Sequence, residues 1–165
     1  MAWKRNVLVV ANVTATSDEL LDALLAKAGS DRAAFTLVVP ATSVGGGRAA
    51  AREKLDQAVE RFRAAGLEIE GTVGDSDPIV AVTEAWDPKL YDEIMISTLP
   101  SAMSKWLQTD LPHRVEKITG APVTHVFSSP PKRPLETVHA RPAQNRGVMA
   151  PLSVLGWGGG GGGLR

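Results

Sequence analysis

The chain contains no cysteine among its 165 residues. Disulfides, thiolate metal sites and cysteine nucleophiles are therefore excluded. The absence fits a cytoplasmic protein, and that is the expected location. No apolar run has the length of a membrane span, so no membrane association is expected. Lys4 and Arg5 precede the apolar Val7 to Val10, but Asn12 and Thr14 interrupt that run before it reaches the length of an export signal. Net charge is missing as well: Lys plus Arg and Asp plus Glu both number 18. There is no basic stripe with interleaved aromatics, and nucleic acid is not an expected partner. Histidine is scarce. His113, His125 and His139 lack the spacing of metal ligands. There is no G-x-S-x-G elbow and no Walker motif. No catalytic residue and no metal site are expected.

What is present is a repeated alternation of strands and helices. Val7 to Ala11 is β-branched and apolar, which suits a buried strand. Thr16-Ser17-Asp18-Glu19 has capping-box spacing, with Thr16 as the expected cap. Leu20, Leu21, Leu24, Leu25 and Ala28 then share one helical face, and Gly29 ends it. Phe35 to Val39 is a second strand, stopped by Pro40. A long helix follows Val44-Gly45-Gly46-Gly47, buries Leu55, Ala58, Val59 and Phe62, and closes at Gly66. Leu67 to Val73 alternates as a half-exposed edge strand would. Asp77-Pro78 starts a short helix, with an acidic cap and proline in the first turn. Ile94-Met95-Ile96 suits a strand buried on both faces. Trp106, Leu107, Leu111, Val115 and Ile118 then read as one helix ended by Gly120, and Pro122 to Phe127 as the last strand.

Units of about thirty residues are βαβ units. The expected fold class is α/β, a doubly wound parallel sheet with helices on both faces. Residues 1–127 form this domain. Residues 128–165 form a tail of different composition. It is rich in proline and glycine, and it carries Lys132, Arg133, Arg141, Arg146 and Arg165 against Glu136 alone. The rest of the chain then holds 13 basic and 17 acidic residues. By composition a basic, disordered tail is expected, with an apolar island at Val148 to Trp157.

In parallel α/β sheets, ligands sit beyond the carboxyl ends of strands. The loop from Ser97 to Asp110 is thus the expected ligand region. Gly45-Gly46-Gly47 is either a flexible connection or a helix N-terminus able to hold an anion. Asp75 and Asp77 are either Mg²⁺ carboxylates or turn and cap residues.

Four segments together resemble the universal stress protein family: VLVVAN from Val7, GDSDPIVAV from Gly74, DEIMIS from Asp92 and APVTHV from Ala121. The resemblance runs from Asn6 to Phe127. It implies a five-stranded, Rossmann-like sheet in the order 3-2-1-4-5. Family members are commonly homodimers, and many bind ATP. The ATP-binding members carry glycine, two residues, glycine, nine residues, then glycine with serine or threonine. Here Ser97, Pro100 and either Asp110-Leu111 or Thr109-Asp110 fall at those places, without one pattern glycine. Asn12 stands where the family often has an aspartate that reads adenine.

The resemblance implies a non-enzymatic regulatory or protective module that does not bind ATP tightly. Asp110 is expected near the phosphates, as a repelling charge. A nucleotide-binding switch or weak ATPase is the first alternative. Its diverged pocket would comprise Asn12, Gly74, Ser97, Thr98 and Ser101. An adaptor acting on a protein partner through the tail is the second. No cofactor is expected beyond a weakly held adenine nucleotide. The expected partner is a second copy, paired through the fifth strand, Val123 to Phe127.

Overall fold

The computed structural model describes residues 3–43, 46–100 and 103–129. The chain divides into a unit Met1–Pro131 and a unit Lys132–Arg165. The tail segments singled out above, with His139 and Val148 to Trp157, lie outside the described residues.

The first unit alternates strand and helix: β1 (Arg5–Val10), α1 (Asp18–Ser30), β2 (Ala33–Pro40), α2 (Gly47–Ala64), β3 (Glu68–Gly74), α3 (Pro78–Ala85), β4 (Glu93–Thr98), α4 (Lys105–Gln108), α5 (Leu111–Thr119) and β5 (Val123–Phe127). The five strands form one parallel sheet in the order β3-β2-β1-β4-β5. This is the expected doubly wound arrangement.

Alternation along the strands divides the core in two. Val7 and Val9 of β1, Leu37 of β2 and Met95 of β4 face Leu20 and Leu24 of α1 and Leu55, Ala58 and Phe62 of α2. Leu8 and Val10 of β1 and Ile94 and Ile96 of β4 face Ala81 and Val82 of α3 and Leu111 and Val115 of α5. Every residue of β4 is buried. A strand covered on both faces reads as a continuous apolar run, which is why Ile94-Met95-Ile96 shows no alternation.

Two helix starts differ from expectation. The cap of α1 is Ser17, whose hydroxyl accepts from the Leu20 N–H at 3.1 Å. Thr16 is still inside the preceding turns, in which the N–H groups of Ala15 and Ser17 donate to the carbonyls of Asn12 and Thr14. The last apolar stripe is two helices, not one. Asp110 adopts a left-handed conformation with φ 54 between α4 and α5. Pro112 explains the break. Within a continuous helix its ring would strike the carbonyl of Gln108, and it has no N–H to donate. Near the start of α5 that missing donor costs nothing. Ile118, assigned to the buried stripe, is exposed.

At the amino ends of the strands, Glu93 is buried to 5% exposure. Its carboxylate pairs with the Lys27 ammonium, and Arg5 Nη1 stands 3.8 Å from its second oxygen. This ionic cluster lies at the opposite end of the sheet from the ligand region.

Candidate functional site

The strand order turns at β1. Chain connections run outward to β2 and β3 on one side and to β4 and β5 on the other, so the loops after β1 and β4 diverge and leave a crevice. A cavity of about 340 Å³ occupies it. Asn12, Val13 and Thr14 line it from the loop after β1, and Thr42 from the loop after β2. Ser97, Thr98 and Leu99 line it from the end of β4. Met103, Ser104, Lys105 and Trp106 complete the wall. Its volume falls at the lower end of small-molecule sites.

The polar groups are held in place. Asn12 Nδ2 donates to Thr42 Oγ1 at 3.1 Å, and Lys54 Nζ on α2 donates to Asn12 Oδ1 at 3.3 Å. The amide orientation is thereby fixed, with one N–H and part of the carbonyl's acceptor capacity left over. Ser97 sits in a chain of buried hydroxyls. Ser17 Oγ donates to Ser128 Oγ at 3.0 Å, and Ser97 Oγ donates to Thr14 Oγ1 at 2.8 Å. Thr14 Oγ1 in turn donates to the Ser97 carbonyl at 3.2 Å. Each hydroxyl has one proton to give. The 2.9 Å contact between Ser128 and Ser97 must therefore have Ser128 as donor. The chain runs in one direction from Ser17 to Ser97, and its hydroxyls are committed to the protein. Thr98 Oγ1 lies 2.6 Å from His125 Nε2 on β5. Burial pushes the His125 imidazole below its ordinary value of 6.5.

Among the described lining residues, Lys105 is the charged one. Among the described lining residues there is no carboxylate and no histidine. Val13, Leu99, Met103 and Trp106 give it an apolar side, with Val13 and Met103 open to solvent. An apolar wall, an amide with a fixed donor and acceptor, and a cation suit a planar polar ring joined to an anion.

No family model matches the chain, and no curated protein does. Solved structures are similar. A universal stress protein in complex with cAMP has a TM-score of 0.55 at 20% identity, over 78% of this chain and 100% of that chain. A universal stress protein from Archaeoglobus fulgidus gives 0.54 at 20% identity, over 74% and 93%. A universal stress protein of the same organism in complex with dAMP gives 0.53 at 18%, over 76% and 99%. The chain has the universal stress protein fold.

Within that fold, three of the expected pocket residues, Asn12, Ser97 and Thr98, come together on the cavity. Ser101 lies outside the described residues. Gly74 is not on the cavity wall. It pairs with Pro40 at the end of β3, and its carbonyl accepts from the Ala41 N–H at 3.2 Å. A Cβ at Gly74 would stand 2.7 Å from Ala81 Cβ and 2.9 Å from a Val38 methyl. Close packing of α3 on the sheet accounts for this glycine. Asp110 is not among the lining residues either, and the charge beside the cavity is the cation of Lys105.

Two further loop readings meet the structure in part, since Gly45 lies outside the described residues. Gly46 and Gly47 have φ of 94 and 72, and their N–H groups donate to the carbonyls of Ser43 and Thr42. Those donors are not free for an anion. Asp77 caps α3 by accepting from the Ile79 N–H at 2.8 Å, and Asp75 accepts from the Asp77 N–H at 2.9 Å. Both carboxylates serve the turn. Among the described residues no group of three or more His, Cys, Asp or Glu is placed to hold a metal. No helix among them is long and apolar enough to cross a membrane. Sequence reasoning missed Thr14, Thr42, Lys54 and the apolar wall. Trp106 and Met103, two large apolar side chains flanking the loop after β4, were the available signal.

Proposed function

We propose that this chain is a non-catalytic, universal-stress-like regulatory module whose cavity takes an adenine nucleotide bearing one phosphate. The observation that carries the reading is the cavity between the loops after β1 and β4, where the fixed Asn12 amide faces an apolar wall and Lys105 supplies the cation. Two of the similar universal stress proteins are in complex with cAMP and dAMP, each an adenine nucleotide with one phosphate. The base would lie against the apolar wall and use the Asn12 amide. The phosphate would turn toward Lys105.

The same features argue against tight triphosphate binding. The Ser97 hydroxyl is committed to Thr14, and Pro100 offers no N–H. No carboxylate among the described lining residues could anchor the Mg²⁺ that accompanies a triphosphate. Binding of Mg-ATP is expected to be weaker than about 100 µM, about 5.5 kcal/mol. Nothing on the described wall is arranged as a nucleophile with its base.

A homodimer through β5 belongs to the same proposal. This strand is an edge of the sheet, and Phe127 on it is 58% exposed. Unpaired backbone groups on an edge are satisfied when two copies join antiparallel about a two-fold axis. The cytoplasm is the proposed setting.

The test is mass spectrometry of small molecules released from the denatured purified protein, followed by calorimetry of stripped protein with AMP, cAMP and Mg-ATP. A monophosphate bound more tightly than Mg-ATP, and weakened in Asn12→Ala, is expected. Micromolar Mg-ATP with no monophosphate binding would overturn the proposal.

A further inference from the structure

We propose that His125 sets the direction in which the Thr98 hydroxyl donates its hydrogen bond, so that the cavity holds a phosphate anion more tightly when the imidazole is protonated. This rests on the nucleotide reading above and adds a regulation to it.

The geometry is local. Thr98 lines the cavity and is 2% exposed, and its Oγ1 is 2.6 Å from His125 Nε2. At that distance the imidazole is the nearest partner of the hydroxyl, so its protonation state decides whether Thr98 donates or accepts. A neutral imidazole whose Nε2 carries no proton accepts. The single Thr98 proton then points at His125 and is withheld from the cavity. A protonated imidazole donates from Nε2. Thr98 Oγ1 becomes the acceptor, and its proton is free to turn toward an anion. The imidazolium also places a positive charge one residue behind the wall. Both effects favour the anion in the same direction, on the acid side.

The surroundings permit the titration. Val123, two residues before His125 on β5, packs with the core of α3 and α5, so His125 is on the face toward α5. The titratable groups of α5 are His113, Arg114, Glu116 and Lys117, all exposed. Asp110 stands just before that helix. On α1, behind the other face of the sheet, are Asp18, Glu19, Asp22 and Lys27. On β4 the titratable group is Glu93, at the far end of the strand and paired with Lys27 and Arg5. Desolvation alone lowers the imidazole, and none of these charges is its cause. Phe127 packs against the ring at a tilt of 45°, with centroids 4.1 Å apart. This contact accounts for part of the burial of the imidazole on an edge strand.

The probe is cAMP, because a phosphodiester keeps one negative charge throughout the range in which imidazole titrates. Calorimetry is run at about pH 5.5 and about pH 7.5 on the full chain. Affinity is expected to be about tenfold higher at the acid end, equivalent to about 1.4 kcal/mol. His125→Gln should flatten the dependence, and so should Thr98→Val. Sedimentation at both pH values separates a change of assembly from a change of affinity. An equal affinity at both ends, or a slope that survives in His125→Gln, would overturn the proposal. A second measurement needs no ligand and stands even if cAMP fails to bind, which would sink the nucleotide reading alone. Nitrogen chemical shifts of the imidazole at neutral pH report its tautomer. The proton on Nδ1 is expected, and a proton on Nε2 would overturn the switch.

Discussion

Replacing Ser97 with alanine removes the middle of the buried hydroxyl chain. Thr14, Ser17, Ser97 and Ser128 are each between 1% and 6% exposed, so water cannot substitute for a lost partner. Two hydrogen bonds disappear, to Thr14 at 2.8 Å and from Ser128 at 2.9 Å. The Ser128 proton is left without an acceptor. A typical bond contributes about 1 kcal/mol net, and an orphaned buried group costs about 1–3 kcal/mol. Ser97→Ala should therefore destabilise by about 2–4 kcal/mol, a range in which buried polar losses are usual. For a domain of this size the melting point falls by about 3–5 °C per kcal/mol. The cause is isolated by adding Ser128→Ala. That change removes the orphaned donor created by the first, and the bond between the two residues is lost only once. The double variant should cost less than the sum of the singles by about 1–2 kcal/mol. Urea unfolding of the four proteins, with equal slopes, is the assay. Additivity within about 0.5 kcal/mol would refute the directional chain.

Other perturbations have defined outcomes. Glu93→Gln leaves the Lys27 ammonium beside a neutral amide and should destabilise by about 3–5 kcal/mol, read by urea unfolding, as expected when one partner of a buried ion pair is removed. Asp110→Gly relieves a left-handed residue with φ 54 and should stabilise by about 1 kcal/mol in the same assay. Because Asp110 is away from the cavity wall, Mg-ATP affinity should not improve. Light scattering at tens of micromolar should show a dimer, and Val126→Pro, which removes an N–H from β5, should dissociate it. His125 has a depressed pKa, so on acidification the unfolded chain binds this proton first. Its contribution to stability is present above pH 6.5 and declines as pH falls from there toward the folded value, and His125→Gln should remove that component from the pH profile.

The fold was legible because local chemistry and topology agree. Asp77-Pro78 marked the start of α3 correctly, since an acidic cap and a first-turn proline both act within one turn. The unbroken Ile94-Met95-Ile96 run announced a strand with helices on both faces. The apolar spacing from Trp106 to Ile118 was misleading, because a periodic stripe does not reveal that its two halves belong to separate helices. Pro112 was the residue that carried the contrary information. At Thr16 the capping-box spacing was present, but a double turn occupied the position and passed the cap to Ser17.

The site divides along a different line. Its location follows from strand order alone, since any chain with this topology opens a crevice between β1 and β4. Its chemistry does not follow in that way. Ser17 and Ser128 are 111 positions apart, and nothing around either announces the other. A serine at a strand end reads equally well as a ligand donor or as a structural hydroxyl. For Ser97 the burial of Thr14 and Ser128 decides in favour of structure. Gly74 shows the same ambiguity from the other side, for the space that Ala81 leaves explains a glycine that the family pattern had placed near a nucleotide. Asn12 differs from both. Its amide is oriented by Thr42 and Lys54 yet keeps hydrogen-bonding capacity toward the cavity. A side chain held by two partners and still unsaturated has lost its freedom before any ligand arrives, so a ligand reaching it does not meet that ordering cost again. On the proposed reading, recognition therefore turns on Asn12 more than on either end of the Ser97–Asp110 loop.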